Sequence, residues 1–298
     1  KEKNGNITLS VAAPAIITWQ GAENNRWDNG VSKNWVMGDL TRGFNGNDSV
    51  LFNDETSTRS ISITENVIPA HVFVESDGNY SFGGTGSIGG NGGLTKKGIS
   101  SLVLSSVNSF TGPLVIEGGS VVTSTLTNGG VASPLGAASK AATNLVLNGG
   151  KLSYMGSTVT TDRSINLGIN GGGLSVSNSS AILTTGPISG PGRLLKEGPG
   201  RLAFTAANTY KGGTTIAGGT IGLTNDVANT AGLSSGDTIT LMGGSIAMYN
   251  STGTDNTSNW NLKIPSGSSG TLMVDGRSVI TGSITGEGTL TYFTPSTD

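Results

Sequence analysis

The sequence predicts an all-β fold, a parallel β-helix or solenoid in which similar coils stack into one continuous body. Three observations predict it. A 32-residue stretch at 92–123 returns one hundred residues later at 192–223, a strand–Gly-Gly–strand pattern occurs five times, and glycine is abundant without a Gly-X-Y period. The 298-residue chain has 49 glycines but only 9 prolines, which excludes collagen.

The two copies of the repeat align without a gap. They share ten residues, which are Gly92/Gly192, Leu94/Leu194, Lys96/Lys196, Gly98/Gly198, Leu102/Leu202, Asn108/Asn208, Gly112/Gly212, Ile116/Ile216, Gly118/Gly218 and Gly119/Gly219. Phe110 and Tyr210 keep an aromatic ring at one position. Gly-Ser-Ile at 86–88 and Gly-Pro-Ile at 186–188 precede the two copies, and Gly-Ser-Ile at 282–284 therefore indicates a third, truncated copy from residue 282. We therefore expect periods of about four coils.

Composition excludes several classes of protein. Charged residues are 12% of the chain, the net charge is −2, and no basic run could follow a phosphate backbone, so nucleic acid is not an expected partner. Cysteine is absent, which excludes disulfides and thiolate chemistry. No apolar run approaches the ~18 residues of a transmembrane helix, and the first residues lack the apolar core of a signal peptide.

The first 52 residues differ in composition from the rest. Ile7–Val11 alternates like a strand, and Trp19, Trp27 and Trp35 then stand eight residues apart among turn residues. We interpret residues 1–52 as an arm and an aromatic cap, and residues 53–298 as the β-helix. Two alternatives remain for the cap. The tryptophans could form a glycan-binding platform, or a calcium ion could bind the carboxylates of Asp28, Asp39, Asp48 and Asp54.

Short strands are predicted at 49–52, 60–63, 71–74 and 80–82, and the glycine pattern then takes over. Its aligned pairs are Gly118-Gly119, Gly149-Gly150, Gly172-Gly173, Gly218-Gly219 and Gly243-Gly244. A Gly-Gly between strands is typical of a hairpin. Steps of about 20–30 residues instead favour solenoid corners, where the backbone turns with positive φ. About 10–13 coils would give a rod of roughly 50–60 Å.

Alternate residues of each strand should enter a common core. We expect Val103, Val115, Val146 and Ile165 in or beside it. Because Asn108 and Asn208 recur at one place in the repeat, we expect their side-chain amides to satisfy backbone groups of the turns.

The repeat resembles the autotransporter-associated β-strand repeat. The second copy carries the pattern best, with Leu194, Lys196, Gly198, Gly200, Leu202, Asn208, Thr209, Tyr210, Gly212, Gly218, Gly219 and Thr220; the first copy departs from it at Ser100 and Phe110. The resemblance implies an exported protein of Gram-negative type whose passenger is a right-handed parallel β-helix. It implies a cell-surface or extracellular location and structural roles for the shared residues.

Enzymatic residues are sparse. His71 is the single histidine, and between residues 144 and 190 the charged residues are Lys151, Asp162 and Arg163 alone. Glu65, Glu75 and Asp77 form the least unlikely acidic group near His71, but a hydrolase or lyase would need a denser cluster. No phosphate loop or zinc motif occurs. We expect no enzymatic activity, no cofactor and no metal.

Three functional hypotheses remain. The first is a passenger-like stalk of a surface protein, with adhesion as its role. The second is a fibre subunit in which Ile7–Val11 completes a neighbour's open end, and the third is a carbohydrate-binding module that uses the three tryptophans. The expected partners are accordingly a second copy, other cell-surface proteins or glycans.

Overall fold

The structure, a computed structural model, describes residues 15–224, 237–249, 256–274 and 278–294. These residues form a parallel β-solenoid of about ten turns, as the sequence predicts. In the described part no helix is long and apolar enough to cross a membrane. The predicted strand Ile7–Val11 lies outside the described residues.

Most of the described chain is in short strands. Those of the first half are β1 (Ile16–Trp19), β2 (Arg26–Trp27), β3 (Trp35–Met37), β4 (Leu40–Arg42), β5 (Ser49–Phe52), β6 (Ser60–Ile63), β7 (Asn66–Val67), β8 (His71–Glu75), β9 (Tyr80–Gly83), β10 (Ser87–Ile88), β11 (Leu94–Lys97), β12 (Ser101–Leu104), β13 (Leu114–Ile116), β14 (Ser120–Thr123), β15 (Leu145–Leu147) and β16 (Lys151–Tyr154). A 3-10 helix at Ala142–Asn144 precedes β15.

The second half continues in the same way. Its strands are β17 (Val159–Thr160), β18 (Ile165–Leu167), β19 (Gly172–Val176), β20 (Ile182–Thr185), β21 (Ile188–Ser189), β22 (Leu194–Glu197), β23 (Arg201–Phe204), β24 (Thr214–Ile216), β25 (Thr220–Thr224), β26 (Thr238–Leu241), β27 (Ser245–Tyr249), β28 (Asn256–Ser258), β29 (Asn261–Lys263), β30 (Ser269–Val274), β31 (Ser278–Ile280), β32 (Ile284–Thr285) and β33 (Thr289–Phe293).

The coils stack into three faces. Face 1 is a ten-stranded sheet in the order β21-β18-β15-β13-β11-β8-β5-β1-β3-β4, which β28 and β31 follow in chain order. Face 2 is a twelve-stranded sheet in the order β2-β6-β9-β12-β14-β16-β19-β22-β24-β26-β29-β32. Face 3 contains the pair β7-β10 and the seven-stranded sheet β17-β20-β23-β25-β27-β30-β33. The chain visits faces 1, 2 and 3 in turn.

The core lies between the three faces and follows from strand alternation. In β12, Leu102 and Leu104 are buried while Val103 between them is exposed. The prediction that Val103 contributes to the core is therefore wrong, since adjacent residues of a strand point to opposite sides. Val115 and Val146 are half-buried, but like Val103 they stand between two buried residues of their strands, so they point outward beside the core. Ile165 is buried within the core, as expected.

All five Gly-Gly elements are corners between faces. The strands on either side lie in different sheets in each case, for example β13 on face 1 and β14 on face 2. One glycine at each corner has a positive φ, such as 59° at Gly119 and 61° at Gly219. The hairpin alternative is wrong for these elements, because the flanking strands pair with neighbouring coils and not with each other.

The two copies of the repeat do not occupy the same faces. Leu94–Lys97 (β11) lies on face 1, but the equivalent Leu194–Glu197 (β22) lies on face 2. Face 2 has four coils between β12 and β22, so one period is four coils plus one face. The observed period therefore exceeds the expected four coils by one third of a turn. As a result, the second copy is rotated by one face about the axis of the rod.

The tryptophan segment begins the solenoid. Strand β1 pairs in parallel with β5, and β2 pairs in parallel with β6, so both belong to the first coil. The β3–β4 hairpin then pairs antiparallel with the outer edge of β1. This hairpin covers an edge to which another strand could add. The division of the chain at residue 52 stays a prediction.

Residues 124–141 form an excursion on face 3 that the sequence pattern does not predict. The buried guanidinium of Arg163 donates hydrogen bonds to the carbonyl oxygens of Thr127 at 3.0 Å, Val131 at 3.1 Å and Gly136 at 2.8 Å. A single side chain thus fixes an irregular loop, because its five N–H groups reach several carbonyls at once.

Adjacent glycines at one corner provide a test of the corner geometry. At Gly219, where φ is 61°, an added Cβ would overlap the carbonyl oxygen of Gly200, whereas at Gly218 the nearest atom would lie 3.5 Å away. We expect Gly219→Ala to lower the free energy of unfolding by at least about 2 kcal/mol, and Gly218→Ala to change it by less than about 1 kcal/mol. Urea unfolding measures both, and equal losses would contradict the assignment of the corner.

Candidate functional site

The polar residues shared by the two repeats lie inside the rod. Lys96 and Lys196 point into the rod, because each lies two residues after a buried leucine, Leu94 or Leu194, in the same strand. Both lysines are 0% exposed. Lys196 Nζ donates to the carbonyl oxygens of Glu197 at 2.6 Å, Gly198 at 2.9 Å and Gly218 at 3.1 Å. The three N–H groups of the ammonium are thereby satisfied at two successive glycine corners.

The first copy repeats this arrangement in part. Lys96 Nζ donates to the carbonyl oxygens of Lys97 and of Gly98, the latter at 3.3 Å. Burial lowers the pKa of both ammonium groups to about 8, against 10.5 for an ordinary lysine. We call each set of a buried lysine and the corner carbonyls it contacts a lysine clamp. The clamps hold the backbone of corners and offer no group to a substrate.

The two recurrent asparagines also bind backbone. Asn108 Oδ1 accepts a hydrogen bond from the Ile88 N–H at 2.9 Å, and Asn208 Oδ1 accepts one from the Ile188 N–H at 2.7 Å. Asn108 Nδ2 additionally donates to the Pro134 carbonyl at 3.0 Å, which ties the excursion to the coil. Their amides satisfy turn backbone groups between adjacent coils, as expected from their repeated position.

Tyr210 completes the second copy from within the core. Its ring is fully buried and its hydroxyl lies 2.6 Å from Thr214 Oγ1. Burial raises the pKa of this hydroxyl well above its ordinary value. Phe110 holds the equivalent buried position in the first copy, where no hydroxyl partner is needed.

The three cap tryptophans are in the core. Trp19, Trp27 and Trp35 are 0–1% exposed, and the Trp19 and Trp35 ring centroids lie 5.0 Å apart in an edge-to-face contact. Phe52 packs against all three rings. A sugar ring can stack only on an exposed aromatic face, so the interpretation of these residues as a glycan platform is wrong. The three tryptophans instead form the hydrophobic core of the first coil.

The cap carboxylates do not come together as a cation site. Asp28 accepts hydrogen bonds from Ser32 N at 2.9 Å and Ser32 Oγ at 2.7 Å, and Asp48 forms an ion pair with Arg42 at 2.8 Å. Among the described residues no group of three or more acidic or histidine side chains could hold a metal ion. Asp28 and Asp48 each organise their own turn, whereas Asp54 accepts hydrogen bonds from Ser76, Asp77 and Gly78.

His71 is separated from the acids near it in sequence. Its Nε2 lies 2.9 Å from Thr95 Oγ1, its ring packs on Phe73 at 4.4 Å, and burial lowers its pKa. Glu75 instead pairs with Lys97 at 3.0 Å. The carboxylates of the other two acidic candidates accept hydrogen bonds from Asn29, for Glu65, and from the backbone of Ile99, for Asp77. This geometry assembles no acid–base pair around the imidazole.

An open groove runs along the corner between faces 1 and 2. It has a volume of about 630 Å³ and is bordered by Ser101, Ser120, Lys151, Asn170 and Arg193. A second depression of about 430 Å³ continues it from Arg193 past Lys211 to Thr240 on face 2. We call the two together the corner groove. The sequence analysis did not identify this groove.

Comparison with protein families explains the repeat. A model of the passenger-associated transport repeat matches residues 94–122 and 194–223. These two windows are similar to the passenger-associated transport repeat, and together they cover about a fifth of the chain. The match coincides with the windows that carry the resemblance, and it confirms the predicted relationship to autotransporter passengers.

One curated relative is similar over a longer stretch. The adhesin BmaC autotransporter of Brucella suis biovar 1 (strain 1330) is 39% identical over 143 residues, which is 47% of this chain and 4% of that adhesin. The chain therefore matches a small part of a much longer protein. No solved structure matches. The two matches confirm the expected cell-surface or extracellular location.

Sequence reasoning named Lys96 as a structural residue of the repeat but did not predict that its ammonium is buried, and it did not predict the role of Arg163. The inward direction of Lys96 was readable, because Lys96 has the same strand parity as the buried Leu94. The sequence offers only a weak indication that Arg163 has a structural role, because Arg163 and Asp162 stand in a stretch that is otherwise nearly without charge. The loop that it fixes has no periodicity that would indicate a partner.

The lysine clamps predict a specific pH dependence of stability. The folded chain releases these protons near pH 8 and the unfolded chain near pH 10.5, so the unfolded state binds more protons between those values. The free energy of unfolding should therefore rise with pH, by roughly 1–3 kcal/mol per lysine between pH 8 and 10.5, and that gain is lost as pH falls through 8.

Urea unfolding at pH 7.5, 8.5 and 9.5 measures this rise before tyrosines titrate. The Lys96→Met/Lys196→Met chain should show a flatter profile, while Lys33→Met, at an exposed lysine of the first coil, should keep the rise. A profile of the unaltered chain that is flat or falls over this range would contradict the lowered pKa of the clamps.

The buried asparagine bridge predicts a loss of stability that a matched exposed asparagine does not cause. Asn108→Ala leaves the Ile88 N–H and the Pro134 carbonyl without their partner, and we expect a loss of about 1–3 kcal/mol. Asn170→Ala, at an exposed corner, should cost less than about 0.5 kcal/mol. Equal midpoints of urea unfolding for the two variants would show that the bridge does not stabilise the fold.

Proposed function

We propose that this chain is a non-enzymatic, passenger-like segment of a bacterial surface adhesin. The observation that carries the proposal is the coincidence of the matched repeats with the lysine clamps and asparagine bridges. The residues that define the repeat are used on backbone groups of a continuous rod. The similarity to an autotransporter adhesin over 143 residues supports the adhesive setting of such a rod.

The rod suits a display role mechanically. Successive strands pair in parallel in one register over twelve strands of face 2, so its outward side chains form columns at a spacing of ~4.8 Å. A column of this kind is a rigid surface that holds binding groups at fixed intervals. Most polar groups inside the rod have backbone partners, which supports a structural purpose.

The alternatives have less support. The fibre hypothesis depends on Ile7–Val11, which lies outside the described residues, and neither comparison points to a fibre subunit. The carbohydrate-binding module depends on three tryptophans that are buried. Catalysis would need a group of acids, and the acids near His71 are engaged elsewhere.

Display and adhesion can be tested on the natural protein and on the isolated chain. Antibodies raised against the 298-residue chain should label intact producing cells without permeabilisation, and beads coated with the chain should adhere to host-cell layers more than albumin-coated beads do. Incubation with a panel of polysaccharides should release no reducing or unsaturated ends. Labelling only after permeabilisation, coated beads that adhere no better than albumin beads, or accumulation of cleavage products would overturn the proposal.

A further inference from the structure

The corner groove exists because consecutive coils have glycines, which carry no side chain, at this corner. Strand β19 begins with Gly172 and Gly173, and Gly173 is the register partner of Lys151 on one side and Leu195 on the other. Gly149 and Gly150 lie at the corner of the coil before it. The floor of the groove is therefore largely backbone, with peptide groups near the surface.

The groove is long and polar. It crosses face 2 from Ser101 in β12 to Thr240 in β26, which are seven neighbouring strands and roughly 30 Å at the usual strand spacing. Its walls carry hydroxyl and amide groups from Ser101, Asn170 and Thr238. Such a shape fits a linear polymer that hydrogen-bonds along its whole length.

The charges in the groove are unevenly distributed. Lys151 reaches across Gly173 to form an ion pair with Glu197 at 2.8 Å, so those two charges compensate each other. Arg193 and Lys211 are exposed, and neither forms an ion pair with a carboxylate in the described ranges. Asp237 borders the groove beyond them. Two cations are thus available beside β22 and β24, toward the β26 end of the groove.

The backbone of Arg193 is held in place while its side chain reaches solvent. Its carbonyl accepts a hydrogen bond from the Gly172 N–H at 3.0 Å, and Gly212 of the next coil packs against its backbone. Arg193 also borders both parts of the groove. A guanidinium in this position can bind a carboxylate through two parallel hydrogen bonds.

We propose that the corner groove binds a linear acidic polysaccharide, with Arg193 and Lys211 contacting carboxylates and the Asn, Ser and Thr side chains contacting hydroxyls. This inference rests on the proposed function only for its setting, a surface that meets extracellular polymers. A peptide would need apolar pockets for its side chains, and the groove offers only Ile99 and Leu195. A nucleic acid would need a longer basic track.

The test uses the purified 298-residue chain and defined oligosaccharides. Isothermal titration with hexagalacturonate at low salt should show binding that weakens as salt rises. Maltohexaose, a neutral chain of the same length, should bind at least tenfold more weakly. Hexaglutamate is the acidic peptide probe and should also bind at least tenfold more weakly.

Two variants locate the site. Arg193→Gln/Lys211→Gln should weaken hexagalacturonate binding at least tenfold, whereas Arg26→Gln/Lys33→Gln removes the same two charges from the first coil and should leave it unchanged. Asn170→Trp fills the groove without changing charge and should also weaken binding. Circular dichroism and urea midpoints equal to those of the unaltered chain show that each variant is folded.

Several results would overturn the proposal. They are no heat of binding at millimolar hexagalacturonate, equal weakening by the control pair, or binding that folded Arg193→Gln/Lys211→Gln and Asn170→Trp leave intact. Equal affinity for hexaglutamate would replace the polysaccharide with an acidic peptide. None of these results bears on surface labelling or bead adhesion, so the proposed function fails or stands separately.

Discussion

The constraint on which the structure depends is the corner. Every coil must turn sharply between faces, and each turn leaves carbonyl groups near the core that no strand neighbour can satisfy. Glycine provides the backbone conformation, and a buried cation supplies the missing donors where carbonyls of successive corners meet, as Lys196 does for Gly198 and Gly218. Burying an ammonium is costly, so the site is stable only because its N–H groups are all bound.

The asparagine bridges solve the same problem at another place in the coil. A backbone N–H at Ile88 or Ile188 lacks a strand partner in the next coil, and a side-chain amide takes that role. The buried lysines and asparagines of the repeat therefore have structural roles. The outer surface is left to the side chains between these positions, and there the sequence varies between copies.

Much of the fold is predictable from the sequence because it is local. The glycine pairs and the strand alternation predict the corners, and the five occurrences of the strand–Gly-Gly–strand pattern predict the solenoid. The recurrence of Asn108 at Asn208 predicts that its side chain binds backbone groups. The rotation of the second copy by one face was not predictable, since it depends on how many strands each period contributes. The groove was missed because absent side chains, as at Gly173, become a surface only after the coils stack.

The most direct test of this account measures whether the second repeat is rotated by one face. The chain has no cysteine, so spin labels can be placed on chosen pairs. Pulsed electron resonance should give a shorter distance for Val103 with Glu197, four strands apart on face 2 and so about 19 Å along the rod, than for Lys97 with Glu197 on adjacent faces. A shorter Lys97–Glu197 distance would place both copies on one face and contradict the stacking described here.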